Sequence, residues 1–269
     1  MNNLRRELAP ISDAAWEAID EEATRVLKLK LAARKLVDFD GPKGPEFSAI
    51  HLGRFENLKA TPVAGVDAAK RRVQQLTELR TSFELSRTEL DSIERGCPDP
   101  DLDPLVEAAT RIAAAEDGAV FHGFPAGDIE GISPASPHPK QTISPDYTAY
   151  PRCVSEALRL LRNAGVDGPY AIALGPRCYA GLTQATDSGY PTMEVIKRMV
   201  DGPIVWAPAV DGAVVLSTRG GDYQLTVGRD LSIGYVSHTE SVVRLYFTES
   251  FTFRVLTAEA AVALVYKKK

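Results

Sequence analysis

The 269-residue chain is short of several things at once, and each shortage removes a class of function. Its 3 cysteines, Cys97, Cys153 and Cys178, are too far apart for a C-x-x-C pattern and odd in number, so neither a disulfide framework nor a cysteine zinc site is expected. The 4 histidines, His51, His122, His138 and His238, are scattered, with no second ligand type at a metal-like offset. No metal centre is predicted. No run approaches the roughly 18 apolar residues of a membrane span, and Pro10, Asp13, Glu17 and Asp20 interrupt the start before it can read as a secretion signal. Basic charge is not in excess: 31 Lys+Arg against 36 Asp+Glu leave −5, so no chain-wide positive field attracts a nucleic-acid backbone. These absences predict a cytoplasmic protein with neither membrane nor nucleic acid as partner.

Catalytic signatures are missing too. There is no G-x-S-x-G elbow, Walker loop, H-E-x-x-H or dinucleotide G-x-G-x-x-G. Arg219-Gly220-Gly221-Asp222 could pass for a phosphate-cradling turn, but it lies between β-rich runs with no helix after it and reads as a hairpin turn. Glu116 and Asp117 are adjacent on a helix, so they project in different directions and read as helix-end or packing residues rather than a shared-proton pair. The chain is expected not to be an enzyme.

What is present is a globular composition, 44% apolar and 25% charged. Ser12 stands at an N-cap position, and Trp16, Ile19, Ala23, Val26, Leu27 and Leu31 recur at three- and four-residue intervals, which predicts one amphipathic helix over about 12–36. Gly41-Pro42-Lys43-Gly44-Pro45 stops it. From Glu46 to Leu79 isolated apolar residues have little helical phasing, and an extended hairpin arm ordered by something else and a flexible insertion both fit. A strand at Leu79–Leu85, a capping box at Ser86-Arg87-Thr88-Glu89 and a helix opened by Asp103-Pro104 and running to about His122 follow. A Pro-, Gly- and Ser-rich loop with a short strand at 129–132 leads to a helix at 152–164, a strand at Tyr170–Leu174, and helices from Pro176 and through Met193–Val200. Six β-rich runs close the chain, at 204–207, 213–217, 223–227, 232–236, 242–247 and 252–256. The fold class is α+β.

Five blocks in register carry a resemblance. Leu8-Ala9-Pro10-Ile11 with Trp16, Ile19-Asp20 and Ala33-Arg34-Lys35-Leu36-Val37-Asp38 form the first, and Glu89-Leu90-Asp91 with Glu94-Arg95-Gly96 the second. Glu116-Asp117 with Phe121 and Gly123, then Gly165-Val166 with Gly168-Pro169-Tyr170, come next. The last is Thr218-Arg219-Gly220-Gly221-Asp222-Tyr223, Asp230-Leu231-Ser232-Ile233-Gly234-Tyr235 and Glu249-Ser250-Phe251-Thr252-Phe253. Together they resemble the encapsulins, the linocin-like shell proteins.

That resemblance implies a Hong Kong 97 phage major-capsid-like fold: a lumen-facing N-terminal helix (1–41), an extended arm (42–80), a peripheral domain (81–124 and 220–269) and an axial domain (125–219). It implies self-assembly into an icosahedral shell of 60 subunits that encloses a cargo enzyme through the cargo's C-terminal targeting peptide. Cargo in the family is a peroxidase or a ferritin-like iron oxidase, which links the shell to oxidative stress and iron storage. Cargo-groove candidates are Val26, Leu27, Leu31, Arg34 and Asp38 with Asp230, Leu231, Ile233 and Tyr235, and pore candidates are Thr186, Asp187, Ser188, Gly189 and Tyr190. Some relatives carry a flavin-associated tryptophan where this chain has Arg87 and Thr88, so no bound cofactor is expected. The alternatives are a hydrolase or protease of the linocin-like type, and a phage-derived capsid protein with a long region ahead of its first helix.

Overall fold

A computed structural model describes residues 3–267. Ser12 Oγ accepts the Ala15 N–H at 3.3 Å and opens α1 (Asp13–Lys30). A 3-10 turn at Ala33–Lys35 leads to β1 (Asp38–Asp40), β2 (Ala49–Asn57), β3 (Ala69–Gln75), β4 (Thr77–Ser86), α2 (Arg87–Glu94) and α3 (Asp103–His122). After α4 (Ile132–Ala135) come β5 (Gln141–Ile143), α5 (Tyr150–Asn163), β6 (Tyr170–Leu174), α6 (Pro176–Gln184), β7 (Thr186–Asp187), β8 (Tyr190–Pro191) and α7 (Thr192–Met199). The remainder is β9 (Ile204–Trp206), β10 (Ala213–Ser217), β11 (Tyr223–Val227), β12 (Ser232–His238), β13 (Val242–Val255) and β14 (Ala261–Tyr266).

Two sheets organise these elements. In the first, β13 pairs along one edge with β4, and along the other with β12 near its start and β11 near its end. β1 adds to β11 in parallel. One face of this sheet packs on α1 and α3, where Ile19, Ala23 and Val26 meet Leu105, Ala109 and Ile112 above Phe83 and Phe247, whose ring centroids are 5.3 Å apart. Alanine permits that close approach: Ala108, Ala109, Ala113 and Ala119 of α3 are all buried. The second sheet runs β5-β14-β10-β6-β9, with Val214, Val215, Ile172 and Ala173 buried among α5, α6 and α7.

The expected helix over 12–36 ends at Lys30, and the predicted strand at 129–132 is one bridge from Phe124 to Ile129 followed by α4. The runs at 242–247 and 252–256 are the single strand β13. Arg219–Asp222 does not close a hairpin, because β10 and β11 lie in different sheets; the turn carries the chain between them, with Arg219 clamped on Asp222 at 2.9 and 3.0 Å. β14 leaves the 81–124 and 220–269 grouping and pairs with β10 and β5 of the second sheet. β2 and β3 pair only with each other among the described residues, and Phe55, Val63, Val66 and Val73 stand exposed along this projecting hairpin.

Candidate functional site

A break in the first helix shapes the site. In a continuing helix the amides of Ala32 and Ala33 would donate to the carbonyls four residues back. Instead Asp117 of α3 accepts both, at 2.9 Å from Ala32 N and 3.0 Å from Ala33 N. Each such hydrogen bond contributes about 0.5–1.5 kcal/mol net, and the two together hold the chain in the tighter turn. Burial pushes the Asp117 carboxyl up to about 7 against the pull of those amides.

The turn aims Arg34 inward. Its Nε meets Glu116 at 2.9 and 3.0 Å, Nη2 reaches Glu116 at 2.6 Å and Glu249 of β13 at 2.5 Å, and Nη1 holds Asp230 at 2.8 Å. Glu116 and Glu249 have no exposed surface, whereas the Asp230 side chain is 41% exposed. One guanidinium faces three carboxyls. Burial first, and the neighbouring Glu116 second, raise Glu249 well above the usual carboxylate range. Its Oε2 meets no N–H or O–H donor among the described residues, so nothing at that oxygen offsets a negative charge.

Above this cluster lies an apolar groove of about 350 Å³ between the end of α1 and the β11–β12 connection, lined by Thr24, Leu27, Lys28, Leu31, Arg34, Lys35, Asp230 and Leu231. A second recess of about 240 Å³ shares Thr24, Leu27 and Leu231 and extends the groove past Ile233 to Leu4. The structure thus brings together Leu27, Leu31, Arg34, Asp230, Leu231 and Ile233. It sets three other candidates apart. Val26 turns into the core, 3% exposed. Asp38 binds the Gly221 N–H at 2.6 Å beside a different pocket. Tyr235 shares a hydrogen bond with His238 Nδ1 at 2.5 Å, and its backbone N–H donates to the Leu4 carbonyl. Thr24, Lys28, Lys35, Glu116 and Glu249 are the members that sequence reasoning did not assign to the site.

The second candidate site is the turn between α6 and α7. Ser188 at φ +50 and Gly189 at φ +82 give the double left-handed geometry of a tight two-residue hairpin joining β7 and β8. Thr186, Asp187, Ser188, Gly189 and Tyr190 are all exposed, and Ser188 Oγ donates to Asp187 Oδ1 at 3.1 Å. Arg198 covers one face of the Tyr190 ring at 5.4 Å. Among the described residues no three His, Cys, Asp or Glu side chains converge as metal donors, and no helix is long and apolar enough to cross a membrane.

Comparison with known proteins gives this geometry its context. The family model described as an encapsulating protein for peroxidase, Linocin_M18, matches residues 1–252. A type 1 encapsulin shell protein of Rhodospirillum rubrum is 51% identical, over 98% of this chain and 96% of that protein. Among solved structures, a virus-like particle from Pyrococcus furiosus superposes with a TM-score of 0.64 at 17% identity, covering 92% of this chain and 98% of that one. Gordonia phage Cozz gives 0.56 at 13%, covering 89% and 87%. At such identities these two speak for the fold, which is the Hong Kong 97 capsid type. The hydrolase or protease alternative finds no support, since the relatives are named for a structural role. With a family match across most of its length and half its residues identical to a named relative, the chain belongs to the type 1 encapsulin shell proteins.

Proposed function

We propose that this chain is the shell subunit of a cytoplasmic nanocompartment, closing with copies of itself into an icosahedral shell of 60 subunits around a peroxidase or ferritin-like cargo enzyme. The β2–β3 hairpin carries this reading: Phe55 is 69% exposed and Val63 64% on an arm that its own chain leaves bare. Large apolar side chains left exposed along one projecting hairpin mark an interaction site, and the phage-capsid fold points to a neighbouring copy as the partner. The peripheral domain is assigned to 81–124 with 220 to about 256, and the axial domain to 125–219 with β14.

The groove over Arg34 is assigned to the C-terminal targeting peptide of the cargo. Leu27, Leu31 and Leu231 supply the apolar lining, with the buried Ile233 beneath them, Lys28 and Lys35 line the rim, and Arg34 with Asp230 braces the wall because its donors are already engaged. Val26 and Tyr235 pack behind the groove, and Asp38 lies at a different pocket. A shallow apolar site of this size binds modestly on its own. Repetition around a shell raises the capture of an oligomeric cargo. The Thr186–Tyr190 turn is assigned to the pore for small molecules and ions, where symmetry would gather the Asp187 carboxylates. The test is Leu27→Asp, co-expressed with cargo: particles of unchanged size that no longer retain cargo are expected, and normal loading overturns the groove assignment.

A further inference from the structure

Away from both sites, a run of hydroxyl and thiol groups links the 3-10 turn at Tyr147–Ala149, α5, α6 and β14. Tyr147 and Tyr266 share a hydrogen bond between their hydroxyls at 3.2 Å, the Tyr266 hydroxyl meets Cys178 Sγ at 3.0 Å, and Cys178 Sγ meets the Tyr150 hydroxyl at 2.5 Å. The chain leads inward. Tyr147 and Tyr266 are half-buried, Cys178 is 0% exposed and Tyr150 1%. Gly181 of α6 lies so close to the Tyr147 ring that any side chain there would displace it. The Tyr147 and Tyr150 rings also approach to 5.7 Å between centroids.

Burial holds the Cys178 thiol above its usual range, so the sulfur is no nucleophile and no direct target for an oxidant that must touch it. Electrons and hydrogen atoms are not bound by that restriction. The Arg177 guanidinium sits 4.1 Å from the centroid of the Tyr266 ring, where a positive ring would be disfavoured, so oxidation there must release the phenolic proton at the same time. A row of hydrogen-bonded O–H and S–H groups supplies that proton path.

We propose that these four side chains form an inward relay for one-electron oxidation, ending in a covalent bond between Cys178 Sγ and the ring of Tyr150. A one-electron oxidant removes an electron from Tyr147 and its phenolic proton passes to water. Each oxidised group then takes a hydrogen atom from the next one inward, until Tyr150 carries the radical. A second oxidant molecule acting by the same route stops at Cys178, as a thiyl radical beside the Tyr150 radical. The two combine: the S–H and one ring C–H bond are lost, an S–C bond forms, two electrons have gone to two oxidant molecules and two protons to water. The product staples α5 to α6.

The test exposes assembled, cargo-free particles to a photogenerated ruthenium(III) tris-bipyridyl oxidant and maps the digested chain by mass spectrometry. A joined peptide containing Tyr150 and Cys178, lighter by two hydrogens than its parts, is expected in the wild type. Tyr266→Phe, which keeps the ring and removes the hydroxyl, should lower its yield about ten-fold in particles of unchanged size, and Tyr150→Phe should abolish it. Full recovery of Cys178 as free thiol in the oxidised wild type overturns the proposal, as does an equal yield of the joined peptide in Tyr266→Phe. A joined peptide in Tyr150→Phe overturns the assignment of the bond.

Discussion

Replacing Arg34 by Met removes the guanidinium that bridges Glu116, Glu249 and Asp230 while keeping much of the side-chain volume. Glu116 is fully buried and Arg34 meets it through both Nε and Nη2, so the variant strips a buried carboxyl of its partner. Breaking a buried pair in this way costs about 3–5 kcal/mol. Asp230 adds little, being 41% exposed and screened by water. At roughly 2–4 °C per kcal/mol for chains of this size, the thermal midpoint should fall by about 10 °C. Glu249→Gln is the informative counterpart. If Glu249 keeps its proton, an amide of the same shape still offers an oxygen to Arg34 and is equally uncharged, and the cost stays within about 1 kcal/mol. If Glu249 were ionised, losing its charge would break a second buried pair and cost as much as Arg34→Met. Both variants and the wild type are compared by circular dichroism melting at one protein concentration near neutral pH, because assembly makes the midpoint concentration-dependent. Equal losses in the two variants would refute the protonated-Glu249 account.

Two further outcomes follow from the same geometry. Asp117 is raised from 3.8 to about 7 in the fold, so the folded state holds its proton more tightly than the unfolded chain; its contribution is therefore complete below about pH 4 and is lost as pH rises toward 7, by an amount on the order of a few kcal/mol. Asp117→Asn should flatten that part of the stability–pH curve, and an unchanged slope would mean that another group carries it. Asp187→Lys at the exposed β7–β8 turn should slow ferrous-ion oxidation by a ferritin-like cargo inside the shell while leaving the free cargo unaffected; an unchanged rate places the cation route elsewhere.

Local physics was legible in the residues where partners are close in sequence. Ser12, Gly96, Gly165 and the turn at Ser188-Gly189 mark their boundaries as read, because caps and left-handed turns are decided within a few residues. The capping box was not: Ser86 makes no side-chain cap, and Glu89 Oε2 instead accepts the Asp101 N–H at 3.1 Å. Likewise Leu102 rather than Asp103 caps α3. The polar residues Thr248, Glu249 and Ser250 looked like a break between two strands, yet Glu249 is buried in mid-strand because Arg34 awaits it 215 positions away. The helix break at Lys30 has the same origin, in Asp117, and no periodicity in α1 announces it. β14 is absent from the expected strands although Val262, Val265 and Tyr266 favour one, and it fills the gap between β5 and β10. The resemblance put Val26 beside Leu27 in the groove, and periodicity put both on one helix face, although neighbours on a helix point about 100° apart. Only the packing of α1 on α3 and β4 decides that Val26 goes to the core and Leu27 to the groove.

The central claim, that this chain is built to be completed by copies of itself, is tested most directly by sizing the purified protein by gel filtration and imaging the peak by negative-stain electron microscopy. Hollow, closed particles many times the 29.2 kDa chain mass are predicted; a stable monomer or dimer, with the β2–β3 hairpin exposed in solution, would contradict it.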